Sequence, residues 1–414
     1  MKTRIQHIGM LAGIHPIETH RLQGSEMGAM GVIDDAWLLI DNDRIASFGK
    51  MKELDKQSIE AETTIDAEGG AALPCWCDPH THLVYPGSRE GEFVDKIRGL
   101  SYAEIARRGG GILNTADRLH AMSEDELFTL SLQRLKELES TGTGCVEIKS
   151  GYGLNTADEL KMLRVVKRLK ECSPLRIVST FLGAHAVGRA FVGRQGDYVD
   201  LVVNEMIPAV AQESLADYID VFCDEGFFTP EETARILKAG ARHGMRPKIH
   251  ACELASSGGV RVGVEHDALS VDHLESASDD DLRLLQGTDT MATLLPGTSF
   301  FLNMPYAKGR QMLNSGQGIA LASDCNPGST PSSDMKFVVS LACIKMRLTP
   351  VEAINAATLN AAYAMGLEKD YGSIAVGKKA NLQILHPLPS IDYIPYAYTR
   401  RLVNMMVLEG EVRK

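Results

Sequence analysis

Two rhythms alternate along the chain from about residue 72 onward. Short apolar runs of the kind that build buried strands occur at 72–80, 144–149, 176–183, 219–224, 246–250, 268–273, 290–295 and 318–324. Between most of them, apolar residues recur at three- and four-residue spacing, which predicts amphipathic helices over 123–139, 156–169, 229–244 and 277–286. Ser123 and Glu126 form a capping box, and Thr229-Pro230-Glu231-Glu232 is a strong helix start. Eight strand–helix repeats predict an α/β fold, a (β/α)8 TIM-like barrel, with functional groups at the C-terminal ends of the strands. A doubly wound open sheet would need a glycine-rich phosphate loop after its first strand, and the sequence has none there.

The two ends keep to a period of two. Residues 37–49 (WLLIDNDRIASFG) read as a β-hairpin turning at Asn42-Asp43, and 382–385 and 402–407 as further strands. Residues 1–70 and 370–414 are therefore expected to form one small β-sandwich-like domain from both termini, leaving 71–369 for the barrel.

Composition mainly excludes. The chain has 414 residues, 44% apolar and 23% charged, an ordinary globular balance. Its net charge of −11 argues against nucleic-acid binding as the main activity. The N-terminal stretch lacks the apolar core of a signal peptide, and no apolar run approaches the ~18 residues of a membrane span. Eight cysteines (75, 77, 145, 172, 223, 252, 325, 343), several inside strand-like runs, fit buried thiols in a reduced, cytoplasmic protein.

Candidate chemistry gathers at the predicted strand ends. His80 and His82 close the first strand and, one residue apart on an extended chain, point the same way. Two imidazoles on one face make half a metal site. His250 closes the fifth strand, His273 the sixth and Asp324 the eighth, while His185 follows the third. Any one alone would more often be a hydrogen-bonded structural residue; together, at the ends of a counted barrel, they converge. Cys75 and Cys77 neighbour His80 but sit at odd positions, so they read as packing residues facing the helices.

With these residues in place, the sequence resembles the amidohydrolase superfamily of metal-dependent barrels and, within it, the imidazolonepropionase family. The broad likeness is Asp-x-His-x-His at 78–82 with His250, His273 and Asp324. The narrower likeness rests on Gly87-Ser88-Arg89, Gly109-Gly110-Gly111-Ile112, Glu147-Ile148-Lys149-Ser150-Gly151-Tyr152-Gly153-Leu154, Leu182-Gly183-Ala184-His185 and Ser323-Asp324-Cys325-Asn326-Pro327-Gly328-Ser329. With the tail Gly372-Ser373-Ile374-Ala375-Val376-Gly377-Lys378, it covers essentially the whole chain. Cys75 stands where that family usually has a small residue and Trp76 is also atypical, departures that concern packing beneath the site.

The resemblance implies one zinc or iron ion per subunit, held by His80, His82, His250 and Asp324, and a homodimer acting on a small molecule. It implies hydrolytic ring opening of 4-imidazolone-5-propanoate to N-formimino-L-glutamate in L-histidine degradation. Arg89 then grips the substrate carboxylate, for which a guanidinium fork is suited. Without the resemblance it would read as a surface arginine paired with Glu90 or Glu92. Tyr152 and His185 resemble the family's contacts to the ring, and Asn326, Gly328 and Ser329 its contacts to the open-chain product. Catalysis falls to Glu253, His273 and Asp324. Asp324 or Glu253 takes a proton from water, His273 steadies the oxyanion, and Glu253 either relays a proton to the leaving nitrogen or orients substrate by accepting a ring N–H.

The fourth strand lacks the lysine that two-metal members carbamylate, so one ion is expected and Lys149, on the second strand, reads as a structural or supporting charge. Two further readings remain. A mononuclear deaminase of an aminated heterocycle would use the same ligands and His273 but has no use for Arg89. A non-catalytic barrel would have lost ligands, and none is missing.

Overall fold

The expected alternation of strands and helices is present in a computed structural model of the chain, which describes residues 1–54, 60–100, 104 and 108–413. Eight parallel strands run in chain order around a barrel: Trp76–Thr81, Thr143–Lys149, Arg176–Ala184, Tyr218–Cys223, a fifth in two pieces (Arg246–Pro247 and Ile249–Ala251), Ser270–His273, Met291–Leu294 and Ile319–Leu321. The last meets the first through a parallel bridge between Thr81 and Cys325. Asp324 N donates to His80 O at 3.0 Å, and His82 N to Cys325 O at 3.0 Å. The backbone bonds that bring the barrel together are thus made by the ligand candidates and their neighbours.

The four expected helices form with their caps. Ser123, Thr229 and Ser278 each accept from the backbone N–H three residues on, and a carboxylate at that third position returns the bond. They cap helices Glu124–Ser140, Pro230–Arg242 and Asp279–Leu284; Asn155 caps Thr156–Cys172. These helices pack apolar faces on the barrel and leave the strand tips open.

The run expected as one strand over 72–80 divides at Cys75. Ala71–Pro74 belongs to a second sheet, parallel to Lys2–Ile14 and antiparallel to Leu382–Leu385. Cys75 N still donates to Asn381 O of that sheet, whereas Trp76 N donates to Gly142 O beside the barrel's second strand. Both halves are buried, so hydropathy shows no seam. Proline has no N–H to continue a ladder, and the break falls directly after Pro74.

That second sheet has eight strands drawn from both termini. Its hairpin pairs Trp37 with Gly49 and Asp41 with Arg44, turning at Asn42-Asp43 as expected, with Asn42 at φ +56°. Cys77 packs with Cys145 against Ala361 and Ala362 of helix Leu359–Tyr363, so its thiol faces a helix. Most of the eight cysteines are buried, and all are unpaired thiols. Among the described residues no helix is long and apolar enough to cross a membrane.

Candidate active site

The strand tips carry the chemistry. His80, His82, His250 and Asp324 are all buried. His250 Nε2 lies 3.4 Å from His82 Nε2, and Asp324 Oδ1 lies 3.6 Å from His80 Nε2 and 3.8 Å from His82 Nε2. A tetrahedral ion with bonds of about 2.1 Å separates its ligands by about 3.4 Å, so these spacings suit a shared cation. His80 Nε2 is buried and has no hydrogen-bond partner. Burial first, then the charge of Lys149 and the adjoining imidazoles, holds His80 well below the usual histidine range. Burial and the neighbouring His185 and His250 do the same to His82. Neutral imidazoles with a free lone pair are the ligating form, and the donor set fits a metal.

Three of the four candidate ligands meet a supporting group from behind, whereas His82 Nδ1 is buried without a partner. His80 Nδ1 hydrogen-bonds Asp272 Oδ2 at 2.7 Å, and His250 Nδ1 lies 3.0 Å from Asp220 Oδ2, an ion-pair contact without the alignment of a hydrogen bond. Asp324 Oδ2 accepts from Thr298 Oγ1 at 2.6 Å and Ser329 Oγ at 3.2 Å, leaving Oδ1 toward the imidazoles. Asp78 is turned to Ser323, accepting from its amide at 2.9 Å and from its hydroxyl; it ties the first strand to the eighth. Asp324 (φ +53°) and His273 (φ +86°) both adopt left-handed backbone, which costs about 1–3 kcal/mol each and aims their side chains into the site.

A cavity of about 510 Å³ opens above the cluster. Its walls include every residue expected at the site except His80, which is wholly covered. His273 lies on one side, Nε2 3.7 Å from Glu253 Oε2 and Nδ1 3.5 Å from Glu275 Oε2. Burial opposes its charge, but the two carboxylates outweigh it and His273 titrates well above a free imidazole. Burial pushes the Glu253 carboxyl up to about 7, with Glu275 and Asp324 adding to the shift and His273 opposing it.

On the other side His185 stacks on His82, ring centres 5.0 Å apart and planes 15° from parallel. Its Nδ1 lies 3.1 Å from Gly151 O, so Nδ1 carries the hydrogen and Nε2 is an acceptor. Gly151 sits at φ +112°, where an added Cβ would come within 3.0 Å of that nitrogen. Tyr152 follows, its ring 5.7 Å from that of His82 and 5.8 Å from the Arg89 guanidinium carbon.

Arg89 pairs with no carboxylate among the described residues. Its Nε donates to Thr115 Oγ1 at 2.8 Å, and its Nη2 is buried without a partner. Asn326 holds its own loop, with Oδ1 accepting from the amides of Gly328 and Ser329 at 2.8 Å each and Nδ2 donating to Asp324 O at 2.8 Å.

Several supporting residues escape a sequence reading. Asp220 and Asp272 lie inside strands whose apolar neighbours hide them, and the residues they meet are far off in sequence, while Glu275 follows the sixth strand and faces His273 two positions before it. Glu159 accepts from the amides of Gly151 (3.0 Å), Gly153 (2.8 Å) and Leu154 (3.0 Å), shaping the loop that presents Tyr152. A buried glutamate in the first turn of a helix just after that glycine-rich loop is the signal that points to it.

Comparison with known proteins follows the same lines. A sequence profile of the amidohydrolase family matches residues 226–410. The chain is 53% identical over 392 residues to an imidazolonepropionase of Christiangramia forsetii, covering 95% of each chain. It is 50% identical to one of Flavobacterium johnsoniae, covering all of both. In fold it is similar to a zinc-bound adenosine deaminase from Xanthomonas campestris, with a TM-score of 0.74 at 16% identity, over 99% of this chain and 92% of that one. Identity of this degree along nearly the full length shows that the chain belongs to the imidazolonepropionase family of amidohydrolases.

Proposed function

We infer that this chain is a hydrolase that opens the ring of 4-imidazolone-5-propanoate to give N-formimino-L-glutamate, a step of L-histidine degradation. Membership of the family supports the reaction class. The observation that carries the substrate is the buried, unpartnered Nη2 of Arg89 in the same cavity as the imidazole–carboxylate cluster. A guanidinium with a donor to spare takes a carboxylate. Two steps of about 6 Å, through Tyr152, separate it from His82, a span suited to a ring bearing a propanoate arm.

One zinc or iron ion per subunit, in the set His80, His82, His250 and Asp324, would polarise the ring carbonyl and make water acidic enough to ionise near neutral pH. The residues do the rest. Arg89 fixes the propanoate, while Tyr152 and His185 hold the ring against His82. Asp324 or Glu253 accepts the proton of the water that adds to the carbonyl carbon. His273, kept cationic by Glu253 and Glu275, faces the oxygen that gains charge. Glu253 returns a proton to the ring nitrogen as the C–N bond breaks. Asn326, Gly328 and Ser329 line the same cavity and are read as contacts to the open-chain product.

The enzyme is further read as a cytoplasmic homodimer, which sedimentation and fractionation test. The reaction itself is tested by product. Ring opening keeps both nitrogens in N-formimino-L-glutamate, so product should form without ammonia. Stoichiometric ammonia would instead mark a deaminase.

A further inference from the structure

Beneath the ligand cluster, the barrel interior holds five fully buried ionisable groups where such barrels ordinarily pack branched aliphatic residues. Lys149, Asp220 and Asp272 project from the second, fourth and sixth strands, Glu147 from the second and Lys248 from the fifth; none is more than 1% exposed. Lys149 Nζ lies 2.8 Å from Asp220 Oδ2, 2.6 Å from Glu147 Oε1 and 3.5 Å from Asp272 Oδ2. Lys248 Nζ bonds the other oxygen of Glu147 and also donates to Pro79 O at 3.0 Å, the carbonyl just before His80. The two aspartates that Lys149 bridges are those that meet His250 and His80 on their far nitrogens.

We propose that Lys149 is a positioning residue for metal binding: its ammonium clamps Asp220 and Asp272 so that they fix the tautomer and direction of His250 and His80. The proposal rests on reading those histidines as ligands. Its physical basis is simple. Two aspartates converging on one point in a dry interior repel each other and turn apart unless a cation lies between them. Each also needs a second anchor. Asp220 Oδ1 accepts from the backbone of His250 at 3.1 Å, and Asp272 Oδ1 from Ser270 Oγ at 2.5 Å. Lys149 therefore completes a cradle in which both imidazoles present Nε2 before any ion arrives. Glu147 and Lys248 hold that ammonium in place. Such buried networks are costly to assemble, and purely apolar packing would fill this layer without them.

The test is metal affinity, read by competition between the protein and a chromophoric chelator for Zn²⁺, with the visible spectrum of the Co²⁺-loaded protein beside it. Lys149→Met should weaken Zn²⁺ binding by about 10–100-fold and alter the Co²⁺ bands, the loss usual when the support of a ligating histidine is removed. KM should change little. Asp272→Asn keeps volume and forms an independent arm in case the lysine variant does not fold, and the same weakening is expected. In the double variant the losses should fall short of additive, because Lys149 acts through Asp272. Wild-type protein that binds no Zn²⁺ would sink the ligand reading and the proposal with it. Wild-type binding with unchanged affinity and Co²⁺ spectrum in Lys149→Met or Asp272→Asn would overturn the proposal alone.

Discussion

The backbone amide of Asp324 donates to the carbonyl of His80 at 3.0 Å. Two ligand candidates from the first and last barrel strands are therefore joined where the sheet comes round on itself. An ion shared by their side chains, with His250 from the fifth strand, would cross-link opposite sides of the barrel.

Removing the metal should accordingly cost stability as well as activity. A ligand at about a thousand times its Kd stabilises by about 4 kcal/mol, enough to shift Tm by about 5 °C in a chain of 414 residues. Calorimetry of chelated and reloaded protein checks this. An unchanged Tm would mean the ion does not bridge the strands.

Arg89→Met should raise KM far more than it lowers kcat. A charge-assisted bond to a carboxylate contributes about 1.5–3 kcal/mol, so kcat/KM should fall about 10–100-fold. A substrate analogue lacking the carboxylate should lose nothing further, which steady-state kinetics on both proteins will show.

Gly328→Ala offers a milder version of the same experiment. Its Cβ would stand 2.6 Å from Arg89 Nη1, the free end of a long side chain. The guanidinium moves aside and the fold does not suffer. We expect a several-fold rise in KM with Tm unchanged; a large fall in Tm would place the clash in the loop instead.

The pH profile should report Glu253. A carboxyl raised to about 7 by burial is a base only above that pH. If it accepts the proton of water, kcat/KM should climb with unit slope as pH rises toward 7 and then level off. Glu253→Gln should abolish that limb and cut kcat by about 10²–10⁴. A limb retained in the variant would assign it to another group.

Which parts of this were legible in the sequence follows from range. Strand–helix alternation, capping boxes and the Asn42-Asp43 hairpin are set by residues close in the chain and read correctly. The histidines were visible because His80 and His82 share a strand face and the others end counted strands. The division of 71–81 into two sheets was not visible, since Ala71–Pro74 and Trp76–Thr81 are both buried and hydropathy alone does not say against what. Nor was the support behind His80. Asp272 lies 192 positions away and is an ordinary strand residue until the barrel brings it to the imidazole. Lys149 reads in the sequence as a structural or supporting charge, but nothing local marks Asp220 and Asp272 as its neighbours.

The most direct test of the account is the ultraviolet absorbance of freshly made 4-imidazolone-5-propanoate with metal-free and reloaded protein. Loss of the ring chromophore is expected only with reloaded protein, with N-formimino-L-glutamate accumulating and no ammonia released. Equal decay with metal-free protein, or ammonia appearing in step with the decay, would contradict it.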